Sequence, residues 1–214
     1  MQPKSATPER RYLACEFRVS DSDKPTISGY AAVFNSASED MGYREYIDPG
    51  AFDSVLATNP DVRCLWNHDS SSILGRTKSG TMRLSTDERG LRYECDLPDT
   101  QVAHDLAVSM RRGDVTQSSF AFVCGGNDTW EEDDAGNWTR RIHSFTELID
   151  CSPVTYPAYP DTTSGVRSLP DSMPMELRSK LTAPAPTPDH LQLTKLTDDQ
   201  TRALAARVDV EAAQ

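Results

Sequence analysis

The chain has 214 residues, 37% hydrophobic and 26% charged, enough for one packed domain with a further segment. Its formal net charge of −11 excludes the basic footprint that nucleic-acid phosphates call for, so no nucleic-acid partner is expected. No apolar run approaches the roughly 20 residues that span a bilayer, so no membrane partner is expected either.

Residues 1–10 lack the apolar centre of a signal peptide and read as a flexible leader on a protein that stays in the cytosol where it is made. Tyr12–Val19 and Ile27–Phe34 flank a polar turn over residues 21–25, the pattern of a hairpin. Asp48-Pro49-Gly50 opens a short amphipathic helix that runs to about Ala57, and Val62–Trp66 reads as a buried strand ending at Asn67-His68-Asp69. A meander is expected over Ile73–Thr77, Thr81–Ser85 and Leu91–Leu97, joined by Gly-containing turns. The clearest helix is Gln101–Arg112, with Asp99 or Thr100 as its cap, Gly113 as its left-handed stop, and Val102, Leu106 and Met110 on its packed face. Strands follow at Ser118–Cys124, Thr129–Glu132, Trp138–Phe145 and Leu148–Tyr156. The domain is expected to occupy residues 11–167. Residues 168–214 read as a proline-rich mobile tail, extended at Met173–Glu176 and Ala183–Pro188, with a short helix at about Asp198–Glu211.

Five cysteines (Cys15, Cys64, Cys95, Cys124, Cys151) stand singly in apolar or alternating runs, without a CxxC pair. That pattern fits small buried hydrophobes; neither a disulfide framework nor a metal site nor a cofactor is expected. The acidic run Glu131–Asp134 lacks the ligand spacing of a calcium loop.

Three stretches carry the chemistry. His68 sits between two polar residues at a strand end, where an imidazole can face a cleft as a base or simply lie in a turn. Ser119 precedes Phe120-Ala121-Phe122, so its hydroxyl must find a partner or face a cavity, with the small Ala121 beside it. Asp150 lies in an apolar strand where a carboxylate needs a partner, and Glu147 three residues earlier is the alternative. A base, a hydroxyl and an acid are the parts of a serine-nucleophile hydrolase. Their order, His then Ser then acid, matches neither the chymotrypsin nor the subtilisin nor the α/β-hydrolase order, and no G-x-S-x-G elbow is present. His104 reads as solvated, His143 as a weaker second imidazole, and His190 as a tail residue.

At these stretches the chain resembles the prohead protease family of tailed bacteriophages of the HK97 type. The resemblance is carried by Gly29-Tyr30-Ala31-Ala32-Val33-Phe34-Asn35, Ile47-Asp48-Pro49-Gly50-Ala51-Phe52, Asn67-His68-Asp69, Leu74–Thr81, Ser119-Phe120-Ala121-Phe122 and Pro153–Pro160, in one order over roughly residues 27–167. It implies a mainly β fold with flanking helices (α+β), a small antiparallel β-barrel of the herpesvirus-assemblin-like kind. It implies a serine endopeptidase that cleaves capsid and scaffold protein, and itself, during virion assembly. His68 then matches the base, Ser119 the nucleophile, and Asp150 or Glu147 the third member; the family commonly has Glu where Asp150 stands. Implied partners are the major capsid protein with its scaffolding segment, the portal, and a second copy of the chain. The implied location is the immature prohead in the host cytoplasm. Arg140-Arg141 is a neighbour of the site by analogy alone. A non-enzymatic assembly or scaffolding protein on the same fold is the alternative reading, and the proline-rich tail and acidic charge suit it as well.

Overall fold

In the computed structural model, which describes residues 8–14, 17–20, 25–155 and 169–182, the apolar and alternating runs become twelve strands and three α-helices among the described residues. The first half holds β1 (Glu9–Ala14), β2 (Arg18–Val19), β3 (Thr26–Val33), β4 (Arg44–Ile47), α1 (Asp53–Ala57), β5 (Arg63–Leu65) and β6 (Ile73–Arg76). There follow β7 (Met82–Thr86), β8 (Gly90–Asp96), α2 (Gln101–Arg112), β9 (Gln117–Val123), β10 (Asp128–Glu132), β11 (Trp138–Ile142), β12 (Glu147–Val154) and α3 (Met175–Thr182). The chain divides into two compact units, Met1–Arg178 and Ser179–Gln214, and the account below concerns the first.

The strands form three sheets: a five-stranded one in the order β1-β9-β12-β5-β6, a four-stranded one, β2-β3-β8-β7, and a three-stranded one, β10-β11-β4. The mainly β character agrees with the sequence, but among the described residues the sheets do not close into the expected barrel. Closure needs a continuous hydrogen-bonded circuit. Here β3 lies against β1 and β9 without a ladder to either. The expected first hairpin also divides: β1 pairs with β9, and only the two-residue β2 pairs with β3. The expected meander divides likewise, because β6 joins β5 while β7 joins β8.

One large core serves most of these elements, and Tyr43, Met173 and Leu177 form a second, smaller cluster. Phe52, Phe120, Phe122 and Phe145 form the aromatic centre of the large core, with Phe52 and Phe145 stacked at 4.4 Å and Phe120 and Phe122 at 4.9 Å between centroids. Dispersion and exclusion of water act together in such a cluster. Gly90 permits the close approach of β8 to β3: a Cβ there would lie 2.0 Å from the Ala32 carbonyl oxygen. Against this core α2 turns Ala103, Leu106, Ala107 and Met110, while Val102 is 42% exposed. Leu106 and Met110 thus pack as expected, together with the alanines beside them, and only Val102 departs from the expected stripe. The expected caps are present. Thr100 Oγ1 accepts the Ala103 N–H, and Gly113 at φ 81° sends its N–H to Met110 while Asp114 reaches Ser109, a Schellman ending.

A buried charge cluster joins β1, β4, β10 and β11. Arg140, 1% exposed, donates to Glu9 (2.5 and 2.9 Å), Glu45 (2.8 Å) and Asp128 (2.5 Å). Arg11 donates to Glu45 and Glu9, each at 2.8 Å. Burial works against charge on Arg140, but its hydrogen bond to Glu9 and the nearby carboxylates of Glu45, Glu9 and Asp128 outweigh it and raise its pKa. The cluster explains two departures from the expected boundaries. β1 begins at Glu9, inside the expected leader, because that carboxylate is one of the partners of Arg140. After the chain beyond Thr155, residues 169–178 return to the body rather than opening a tail. Ser172 Oγ donates to Asp128 (2.5 Å) and accepts from Trp130 Nε1 (3.2 Å), while Met173 and Leu177 pack with Tyr43 and Trp130. The expected extended stretch at Met173–Glu176 instead enters α3, where the Arg178 N–H bonds the Pro174 carbonyl at 2.9 Å; proline is compatible with a helix start. The expected proline-rich stretch at 183–188 and the helix near 198–211 lie outside the described residues.

Removing one member of such a cluster leaves buried opposite charge uncompensated, at a cost of about 3–5 kcal/mol. Arg140→Met is therefore expected to lower unfolding free energy by about that amount in urea titration. A loss below about 1 kcal/mol, the scale of an exposed pair, would contradict the cluster's structural role.

Candidate active site

Ser119 is placed by β9, the strand between β1 and β12. Its register partners are Tyr12 on β1 and Ser152 on β12. Alternation along the strand sends Ser118, Phe120 and Phe122 to the core side, where Ser118 bonds the Tyr93 hydroxyl at 3.2 Å, and sends Ser119 and Ala121 to the opposite face. Directly opposed residues share a face, so Asp150, opposite Ala121, and Ser152, opposite Ser119, stand on the face that carries Ser119. A register shift between Leu148 and Asp150 precedes this stretch, a bulge of the kind that re-aims side chains.

His68 comes from the turn that leaves β5. The turn is closed by backbone bonds from Trp66 to Ser72, Asp69 to Trp66 and Ser72 to Asp69, each at 3.0 Å. Asn67 and His68 both have positive φ, 53° and 58°, an unfavourable backbone for two consecutive non-glycine residues. Asn67 holds that conformation against β12. Its N–H reaches the Pro153 carbonyl at 3.1 Å, and its Oδ1 accepts the Thr155 N–H at 2.9 Å and the Thr155 hydroxyl at 3.1 Å. Asp69 faces its own turn: its hydrogen bonds from Ser71 and Ser72 hold its carboxyl below the usual range.

The two placements meet. His68 Nε2 lies 2.7 Å from Ser119 Oγ, and His68 Nδ1 lies 2.7 Å from Asp150 Oδ1. A carboxylate only accepts, so Nδ1 carries the proton given to Asp150 and Nε2 is left to accept from the serine hydroxyl. The imidazole is 12% exposed and the acid is buried, so neither bond competes fully with water. This arrangement can remove a proton from Ser119 and hold the resulting imidazolium against a carboxylate.

Glu147, the alternative acid, is exposed at the start of β12 opposite Val123, four residues along β9 from Ser119 or about 13 Å at strand rise. The geometry therefore brings Asp150 to His68 and leaves Glu147 apart. Arg140 belongs to the buried charge cluster, and Arg141 donates to Asp48 at 2.6 Å. His143 bonds Asp48 and Thr129, and His104 bonds Asp99. His190 lies outside the described residues. Cys64, Cys95, Cys124 and Cys151 are buried and unbridged, and Cys15 lies outside the described residues. Burial pushes the Cys64 and Cys151 thiols well up and that of Cys124 to about 11, so these three are not thiolates near neutral pH. Two contacts at the site, those of Asn67 and Ser152, have a sequence signal only in retrospect: a polar residue beside the base, and a hydroxyl two positions from the acid in an apolar strand.

Among the described residues no helix is long and apolar enough to cross a membrane. No curated protein matches the chain. Among solved structures it is similar to the capsid assembly protease gp21 of bacteriophage T4, at 10% identity and a TM-score of 0.46, over 70% of this chain and 99% of that one. The family model described as caudovirus prohead serine protease matches residues 14–174, about three quarters of the chain and the whole of the constellation above. The chain belongs to the caudovirus prohead serine protease family.

Proposed function

We propose that the chain is a serine endopeptidase in which Ser119 is the nucleophile, His68 the base and Asp150 the third member. Ser119 Oγ attacks the peptide carbonyl as His68 Nε2 takes its proton. The imidazolium then gives that proton to the leaving amine, and water releases the acyl group by the same route. Asp150 accepts the Nδ1 proton, keeps the imidazole in the useful tautomer and stabilises its charged form. One observation carries the reading: a single imidazole bridges a hydroxyl 51 residues away and a carboxylate 82 residues away, both at 2.7 Å. His143 also bonds a carboxylate and a hydroxyl, Asp48 and Thr129, but it is exposed, whereas His68 is sheltered and its carboxylate buried.

Membership of a prohead protease family supports action inside the immature prohead on capsid protein. The substrates proposed are the major capsid protein with its scaffolding segment, the portal and the chain itself, with self-association during assembly. Self-cleavage is proposed within the stretch from Arg167 to Pro188, because proteases prefer mobile chain. Within it, residues 169–178 pack on the body and α3 runs to Thr182, so the cut is proposed at the proline-rich sequence 183–188, whose composition reads as extended linker.

Ser119→Ala is expected to lower turnover on the capsid protein by a factor on the order of 10⁴–10⁶ with an unchanged thermal midpoint, and His68→Ala to cost about as much, without multiplying in the double variant. Normal head maturation by Ser119→Ala would contradict the assignment. Intact mass after incubation should show loss of the chain beyond residues 183–188, and this loss should be absent from Ser119→Ala. An unchanged mass under conditions that process the capsid protein would rule out self-cleavage there.

A further inference from the structure

Ser152 is fully buried and touches both the acid and the strand that leads to the base. Its hydroxyl donates to Asp150 Oδ1 at 2.9 Å, the same oxygen that accepts from His68 Nδ1 at 2.7 Å. Its oxygen accepts the Leu65 N–H at 3.2 Å. The proton directions are settled by chemistry, because the carboxylate can only accept and the amide can only donate. Leu65 is the last residue of β5, where the register with β6 shifts and where the parallel pairing of Arg63 with Asp150 has already ended. Its N–H is met by a side chain rather than by a ladder carbonyl, and from it the backbone turns into Asn67 and His68. One hydroxyl therefore joins the strand that carries the acid to the strand end that launches the base.

We propose that Ser152 is a positioning residue for the reaction: it fixes the Asp150 carboxylate and the end of β5 in one arrangement, and it shares with His68 the carboxylate oxygen that supports the imidazole. The inference rests on the reading of Ser119, His68 and Asp150 as a catalytic unit. A buried carboxylate with a second donor cannot swing away from the imidazole without leaving that donor unpaired, which is costly. The second donor also takes part of the carboxylate's charge. With it gone, more of that charge faces the imidazole and the imidazolium is favoured. Around Asp150 the other titratable groups are Arg63, its register partner on β5, whose guanidinium is engaged by Asp61, and the thiols of Cys64 on β5 and Cys151 on β12, which burial keeps neutral. Tyr12 lies opposite Ser119 on β1, and the Asp69 carboxylate is engaged by Ser71 and Ser72.

The test is the rate at which a fluorophosphonate labels Ser119 in the full chain, followed from about pH 5 to about pH 9, a range that spans imidazole titration. Ser152→Ala is expected to slow labelling roughly ten- to hundredfold, the loss of one hydrogen bond to a charged group, and to move the acid limb of the profile to higher pH. Should that variant fail to fold, Ser152→Cys keeps the volume with a weaker donor and is expected to show the same two changes. Labelling at the wild-type rate, or a slower rate with the acid limb in place, would overturn the role, because a merely structural serine moves no limb. His68→Ala separates the two levels. If it labels as fast as wild type, the catalytic unit fails and Ser152 with it. If it does not label while Ser152→Ala is unchanged, only the role of Ser152 fails.

Discussion

The register of β9 against β12 is the constraint on which the site depends. Opposing Ser119 to Ser152, with Asp150 opposite Ala121, puts hydroxyl and acid on one face and leaves Phe120 and Cys151 for the core. A slip of one residue would exchange the two faces, burying Ser119 among phenylalanines and turning those rings outward. The apolar side thus enforces the polar one: the stacked rings of Phe120 and Phe122, with Phe52 and Phe145, are worth several kcal/mol of buried area between them, on the order of 1.5–3 kcal/mol per side chain. The geometry of the proposed catalytic unit is held by packing that takes no part in its chemistry.

Two further devices fix what register alone cannot. The unfavourable left-handed pair Asn67-His68 is held by hydrogen bonds between Asn67 and both Pro153 and Thr155, so His68 is fastened to the strand that carries Asp150. The buried cluster around Arg140 performs the corresponding task for the outer elements. It ties the first strand, the three-stranded sheet and, through Asp128 and Ser172, the segment at 169–178 into one body. Its individual pairs add little net stability over well-packed apolar groups. What they impose is mutual dependence: the buried Arg140 and the partly buried Arg11 share the carboxylates of Glu9 and Glu45, so β1, β4 and β11 are held together.

Local chemistry was the legible part of the sequence. Thr100 and Gly113 bracket α2 because capping is decided within a few residues, and β9 was visible as an apolar run after two serines. His68 and Ser119 stood out as a polar residue at a strand end and a hydroxyl within an apolar strand. Pairings between distant segments were not legible. Nothing near Tyr12 states that its strand will join β9 rather than β3, and nothing near Glu9 points to Arg140, 131 residues away. The choice between Asp150 and Glu147 turns on a bulge between Leu148 and Asp150, a property of the paired strands and not of either alone. The barrel failed for a similar reason: strand content can be read from alternation, whereas closure depends on which edges meet.

The central claim is that one imidazole is held between Ser119 and Asp150. The most direct measurement is the proton NMR resonance of the His68 Nδ1–H, shifted downfield when that proton is shared with a buried carboxylate. The account requires the resonance to be present in the native chain, lost in His68→Ala and Asp150→Ala, and retained in Glu147→Ala. Its loss in Glu147→Ala with retention in Asp150→Ala would contradict the account.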